Sequence, residues 1–277
     1  MSAANAPYPL ELPAPQLLSL QAVFRFATIG RGDPALDDAL YEAVRAHFPF
    51  RLLQRPASDP GPQSPHLVFS SQTAQMAVGL IQSDVVMQLG QAGPAALTEL
   101  AGGLLESVRL GLIAGGLAPT TMGLITTMQT STHNLENFSP QEHIFGSHMR
   151  IADVDPDRVQ DVSVALNLKI ADRYFVGVNL SAYESRQIVQ PVLPGVAALP
   201  MLMNPWDGVL TDTGVQLRVD VNNQLEQRLN PGNPALVSQD VLSDVLQLSQ
   251  TVADDLAQSF ISDGTLPIAA LEGALNQ

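Results

Sequence analysis

The sequence predicts an α+β fold made of two half-domains, each a curved antiparallel sheet packed on a long helix. Three observations carry this expectation. Stretches such as VSVALNLKI and GVQLRVDV alternate apolar and polar residues, the mark of strands with one buried face. Two long segments, 95–116 and 238–264, carry apolar residues at helical spacing instead. Each of these follows a run of strands, whereas an α/β chain would alternate single strands with helices. With 277 residues, 45% of them apolar, the chain has enough material for two packed halves and a sizeable core.

Residues 1–18 hold four prolines and read as an extended N-terminal arm. The first half, 19–118, opens with a strand in LQAVFRFATIG at 20–30. Asp33-Pro34 then starts a helix: Asp33 can accept free amide protons of the first turn, and Pro34 lacks only an N–H that has no partner there. Asp37 and Asp38 suit the positive end of the helix dipole. Leu36, Leu40 and Val44 share one face, and the helix stops at Phe48, before Pro49. PASDPGPQSP, at 56–65, is a loop by composition. Strands follow in HLVFSS and AQMAVGLIQSDVVMQLG, where Met76, Val78 and Leu80 alternate, as do Val85, Met87 and Leu89, with Ser83-Asp84 at the turn between them. Segment 95–116 then forms a helix with the stripe Leu97, Leu100/Ala101, Leu104, Val108 and Leu112. Its interior glycines Gly102, Gly103 and Gly111 each cost about 1 kcal/mol against alanine, so packing must hold it, with a closely approaching sheet as the expected neighbour.

The second half, 119–265, begins with TTMGLITTMQT as a strand. Val162, Val164, Leu166, Leu168 and Ile170 point one way in the next, with Ser163, Asn167 and Lys169 opposite. YFVGVNL follows less strictly, and Val215, Leu217, Val219 and Val221 face inward in the last strand, with Gln216, Arg218 and Asp220 outward. Ser238 caps a final helix, Asp240 and Asp244 fill its first turns, and Gly264 is its stop. Val241, Val245, Leu248, Val252 and Leu256 line one side, a stripe that lies flat on a sheet. Residues 266–277 form a tail. Internal repetition is weak: GDPALDDAL at 32–40 and VDPDRVQDV at 154–162 share an Asp-Pro opening and little more.

The order of these pieces carries a resemblance. An AVFRF strand, a helix ending in HFP, and VFSS…VGLIQSDVVMQL come in sequence. A long helix leading into MGLITTMQ, an RVDVNNQ strand and a last helix ending in FISDG follow. Over roughly residues 20–265 the chain resembles a sporadically distributed, uncharacterised bacterial family of about this length. That family shows an Arg-Tyr-Asn-like signature in the strand matching MGLITTMQ, where this chain has Thr126-Thr127-Met128. The resemblance implies the two-half α+β layout and brings no activity or catalytic residues with it.

Composition excludes several function classes. A net charge of −14 repels phosphate backbones, and no segment collects basic residues, so direct nucleic-acid binding is not expected. Anionic membrane surfaces are disfavoured for the same reason. The lack of cysteine rules out disulfides, thiolate metal sites and a cysteine nucleophile. The N-terminus MSAANAPYPLELPAPQ has neither the basic nor the apolar region of a secretory signal, and the most apolar segment, 95–116, carries Glu99, Glu106 and Arg109. A cytoplasmic bacterial protein is the expectation.

Three stretches are candidate sites. HNLENFSPQEHIFGSH, at 133–148, holds His133, His143 and His148 with Glu136 and Glu142 between them. Three imidazoles could ligate a divalent metal with an open position for water, with a glutamate as base. The spacings of 10 and 5 match no rigid-helix pattern, and the plainer reading is a polar connection between strands. Asp153, Asp155 and Asp157 are spaced as in a calcium loop, but Arg158 and Val164 stand where such a loop needs Gly and Glu, so an acidic turn is favoured. Finally, Ile188 to Trp206 carries no charge, four prolines and the only tryptophan. Its Val192, Leu193, Leu199, Met201, Leu202, Met203 and Trp206 suit an interface, or a loop folded over the core. No nucleotide-binding glycine motif or nucleophile elbow occurs. The expectation is a non-catalytic interaction or scaffold protein that self-associates or docks on a partner protein, with no cofactor. The alternative is a small-ligand-binding or metal-dependent hydrolytic enzyme with its site between sheet and helix.

Overall fold

The computed structural model describes residues 12–27, 34–47, 52–54, 65, 67–92, 97–136, 138–149, 161–187, 208–229 and 234–275. Among them the strands are β1 (Gln16–Arg25), β2 (Leu52–Gln54), β3 (Leu67–Ser70), β4 (Ala74–Val78), β5 (Gln82–Ala92), β6 (Thr121–Ser131), β7 (Ser163–Ile170), β8 (Tyr174–Gln187) and β9 (Val209–Asn222). The helices are α1 (Pro34–His47), α2 (Leu97–Ala114), α3 (Pro140–His148), α4 (Gln224–Leu229), α5 (Gln239–Thr251), α6 (Ala257–Asp263) and α7 (Ile268–Ala274). A π-helical turn, Val252–Leu256, joins α5 to α6.

The α+β class and the antiparallel pairing are as the alternation required, but the strands form one sheet. Its order is β2-β3-β4-β5-β1-β6-β9-β8-β7, and every neighbouring pair is antiparallel. The two halves of the sequence join where β1 pairs with β6, from Gln16↔Gln129 to Arg25↔Thr121. A half-buried strand has a free hydrogen-bonding edge, and pairing β1 with β6 removes two such edges at once.

One face of this sheet is the core. Leu20, Ala22 and Phe24 of β1, Val85 of β5, Leu124 and Met128 of β6, Val176 and Leu180 of β8, and Val215, Leu217, Val219 and Val221 of β9 are all buried there. They pack into one cluster with residues of α1, α2, α3, α5, α6 and α7. The segment after Gly264 is therefore partly helical: Leu271 and Ala274 of α7 are buried, and α7 packs on α5. The stripe of α5 runs as its spacing predicts, with Val241, Val245, Leu248, Val252 and Leu256 all buried and α5 lying on β6 and β9. Ser238 caps it by accepting the Val241 amide, and Gly264 ends α6 with φ 78°.

Several local expectations are corrected. The β4–β5 turn lies at 79–82, where the Gly79 amide donates to the Gln82 carbonyl; Ser83 and Asp84 are already paired in β5. The register Met76↔Val85 sends both side chains into the core, and a turn at Ser83-Asp84 would break it. The buried stripe of α2 uses Leu105, with Leu104 only partly buried and Leu100 45% exposed. Close approach to α2 comes from α1, not from the sheet: a Cβ at Gly111 would lie 3.0 Å from Val44 Cα. In β7, an edge strand, only the end residue Ile170 is fully buried, while Val164 and Leu168 on the same side pack partly buried against the core. Asp33, the expected cap of α1, and the acidic turn at Asp153, Asp155 and Asp157 lie outside the described residues.

Candidate functional site

The histidine stretch is a helix. Ser139 caps α3, its hydroxyl accepting the Glu142 amide at 3.3 Å, and Pro140 takes the first helical position. Ser139-Pro140 followed by Glu142 is a readable helix start that the imidazoles obscure. The helix brings His143 and His148 together, ring centroids 6.4 Å apart, while His133 sits exposed in the preceding turn. His143 Nε2 donates to the Ile261 carbonyl at 2.8 Å and His148 Nε2 to the Phe260 carbonyl at 2.6 Å, which locks α3 to α6. With the proton on Nε2, the lone pair of each ring stands on Nδ1. Among the described residues no three His, Asp or Glu side chains gather as a metal site. His148 is held below the ordinary histidine pKa, chiefly by burial. The interface candidates Val192, Leu193, Leu199, Met201, Leu202, Met203 and Trp206 lie outside the described residues.

A different surface stands out. The sheet face opposite the core carries Gln21, Asp84, Thr127, Gln129, Asn179, Gln216, Arg218, Asp220 and Asn222, all in the outward phase of their strands and none fully buried. The described cations divide sharply between this face and the rest. Away from it Arg45, Arg109 and Arg173 each pair with a carboxylate, as does Arg186 in the extension of β8. Arg25, Lys169, Arg218 and Arg228 form no ion pair with a described residue, and all four stand on this face or at its rim. Its two central carboxylates are engaged by amides: Asp84 accepts from Gln21 and Gln82, and Asp220 from Asn222.

At the rim, the face opens into a cleft of about 450 Å³ lined by Arg25, Thr120, Thr121, Gln224, Gln227, Arg228 and Pro234. A smaller groove of about 100 Å³, lined by Val23, Gly123, Ile125, Asp220 and Asn222, continues from it along the sheet and shares Arg25, Thr121 and Gln224. Gly123 keeps this groove open: a Cβ there would stand 3.4 Å from Asn222 Cβ. The Arg228 guanidinium carbon lies 5.2 Å from the centre of the Phe175 ring, within cation–π range. Two backbone acceptors at the cleft are already used. The Arg25 carbonyl takes the Thr120 amide at 2.8 Å, and the Thr120 carbonyl takes the Gln227 side-chain amide.

Sequence reasoning missed these residues. Arg25, Thr121 and Arg228 are far apart in the chain, and only the pairing Arg25↔Thr121 and the turn after β9 bring them together. Alternation announced the outward phase of Gln216, Arg218 and Asp220, and of Ser163, Asn167 and Lys169. No protein-family model matches the chain, and no curated protein matches it.

Proposed function

We propose that the chain is a non-catalytic interaction protein that docks on a partner through the sheet face opposite its described helices, and that the partner presents an acidic surface there. The sorting of cations supports this reading. In a chain of net charge −14, every described cation without a carboxylate partner stands on one face or its rim. Unpaired arginines over an amide-rich sheet favour carboxylates by bidentate hydrogen bonding. The charge beyond about 8 Å is screened at physiological salt, so the acidic remainder of the molecule does not cancel this local preference. A heterologous partner fits better than a second copy, since two copies would each bring −14. In this reading the uncharged stretch 188–206, which joins β8 to β9 in sequence, supplies the apolar part of the contact through Met203 and Trp206.

We also read the chain as two half-domains on a shared sheet. The order strand, helix, strands, helix occurs in β1–α1–(β2–β5)–α2 and again, with the short α4 added, in β6–α3–(β7–β9)–α4–α5, which supports that division.

The test places a photo-crosslinking amino acid at Thr127 on the sheet face opposite the helices and, separately, at Asp255 on the helical side, in the protein's own host. The expected result is a stoichiometric partner joined from position 127 only, through a segment rich in Asp and Glu, and lost when Arg218→Glu and Lys169→Glu are combined. A partner captured equally from position 255, or one indifferent to the charge reversals, would overturn the reading.

A further inference from the structure

The cleft at the rim carries a second inference, independent of the docking partner. We propose that the cleft between the β1–β6 end and α4 is a binding site for a small organic oxyanion, a carboxylate or a phosphate ester, held between Arg25 and Arg228. Its lining holds two arginines, two threonines and two glutamines, with no carboxylate among the lining residues. Neither arginine forms an ion pair with a described residue. A volume of about 450 Å³ falls within the usual span for small-molecule sites.

The polarity of the site points the same way. An anion is repelled by free carbonyl oxygens, and the carbonyls of Arg25 and Thr120 at the cleft are taken up by the Thr120 amide and the Gln227 side chain. The Thr120 hydroxyl also donates to the Arg25 carbonyl at 3.5 Å, so the charged donors left to the cavity are those of Arg25 and Arg228. The Phe175 ring beneath Arg228 reduces the side-chain freedom lost when the guanidinium engages a ligand. The nearest carboxylate on the adjoining groove, Asp220, is engaged by Asn222 at 3.1 Å. α4 is held in place by Leu225, which is 6% exposed, so Arg228 is presented from an anchored turn. A neutral ligand would leave both guanidiniums unused, and a cation would be repelled.

The test uses the purified full chain and no partner. Inorganic phosphate and succinate are titrated separately while the arginine Nε–Hε resonances are followed by NMR, with chloride at matched ionic strength as reference. The expected result is saturable shifts of the Arg25 and Arg228 resonances with at least one of the two probes. Affinity should fall at least tenfold in Arg25→Gln and in Arg228→Gln. It should change less than twofold in Arg45→Gln, a substitution on the helical side of the molecule. The probe that binds more tightly identifies the ligand as a phosphate ester or a carboxylate. Shifts no different from those of chloride, or affinities unchanged in both cleft variants, would overturn the assignment. Should Arg228→Gln alter the far-ultraviolet spectrum, Thr121→Val with Arg25→Gln gives the same reading from the β-sheet side.

Discussion

Replacing glycine by alanine at two positions of α2 should have opposite effects. Gly103 is exposed, and a Cβ there meets nothing within 4 Å. Alanine at that position only gains helix propensity, about 1 kcal/mol. Gly111 is buried, and its Cβ would stand 3.0 Å from Val44 Cα and 3.3 Å from Val44 Cγ2. Carbon atoms pack best at about 3.5–4.0 Å, so α1 would have to move by roughly half an ångström, and its backbone cannot rotate out of the way. Overpacking of this kind costs about 1–3 kcal/mol. Set against the same propensity gain of about 1 kcal/mol, Gly111→Ala should be neutral to destabilising by about 2 kcal/mol. The two variants should therefore differ by about 1–3 kcal/mol. With a urea m-value of about 3 kcal/mol/M, that is a separation of about 0.3–1 M in midpoint. Urea unfolding followed by circular dichroism measures it. Adding Val44→Ala to Gly111→Ala should recover only part of the loss, since the new methyl group still presses on the backbone of α1. Equal upward shifts for Gly103→Ala and Gly111→Ala would refute the close approach of α1 to α2.

Two further expectations concern polar ties between layers. Tyr174 is fully buried, and its hydroxyl donates to Asp244 Oδ2 at 2.5 Å, joining β8 to α5. Tyr174→Phe should cost about 1.5–3 kcal/mol, the range for a hydrogen bond to a charged group, and a double-mutant cycle with Asp244→Asn should assign most of that to the pair; additive single effects would sink the idea. The second is a pH dependence at the α3–α6 contact. Burial lowers the His148 pKa; the Phe260 carbonyl raises it, His143 lowers it, and the Ile144 carbonyl and Asp263 raise it, with a net fall below the ordinary 6.5. The unfolded chain then takes up the proton first, so this contribution to stability is complete above pH 6.5 and is lost as the pH falls from there through the lowered folded value. Unfolding midpoints measured on both sides of that pH should drop less steeply for His148→Gln than for the parent chain, and identical slopes would count against it.

Alternation made β9 readable residue by residue: all four of its inward valines and leucines are buried where the pattern put them. In β7 the phase is as predicted but the burial is shallower: Ile170 is buried, Val164 and Leu168 are partly buried against the core, and Leu166 is 36% exposed, because β7 is the edge strand of the sheet. The same reasoning misplaced the β4–β5 turn because Gly79-Leu80-Ile81 reads as a continuation of the apolar run, and the register with Met76 decides the matter. It took α3 for a loop because a helix with no clear apolar stripe gives no periodic signal, although its Ser139-Pro140 start was plain.

The sequence by itself determined what is local: the α+β class, the long helices with their caps and stops, and which side of the clearest strands is apolar. Periods of 2 and 3.6 residues and the chemistry of caps act over a few residues, so they can be read in order along the chain. The tertiary structure alone decided that β1 lies between β5 and β6 in one continuous sheet, that α1 packs against Gly111 of α2, and that the described helices cover one face of the sheet. It also decided the cleft, because Arg25 and Arg228 become neighbours only through strand pairing between distant segments and a turn beyond β9. Such neighbourhoods depend on register and layer order, which many sequences with the same local pattern would satisfy differently.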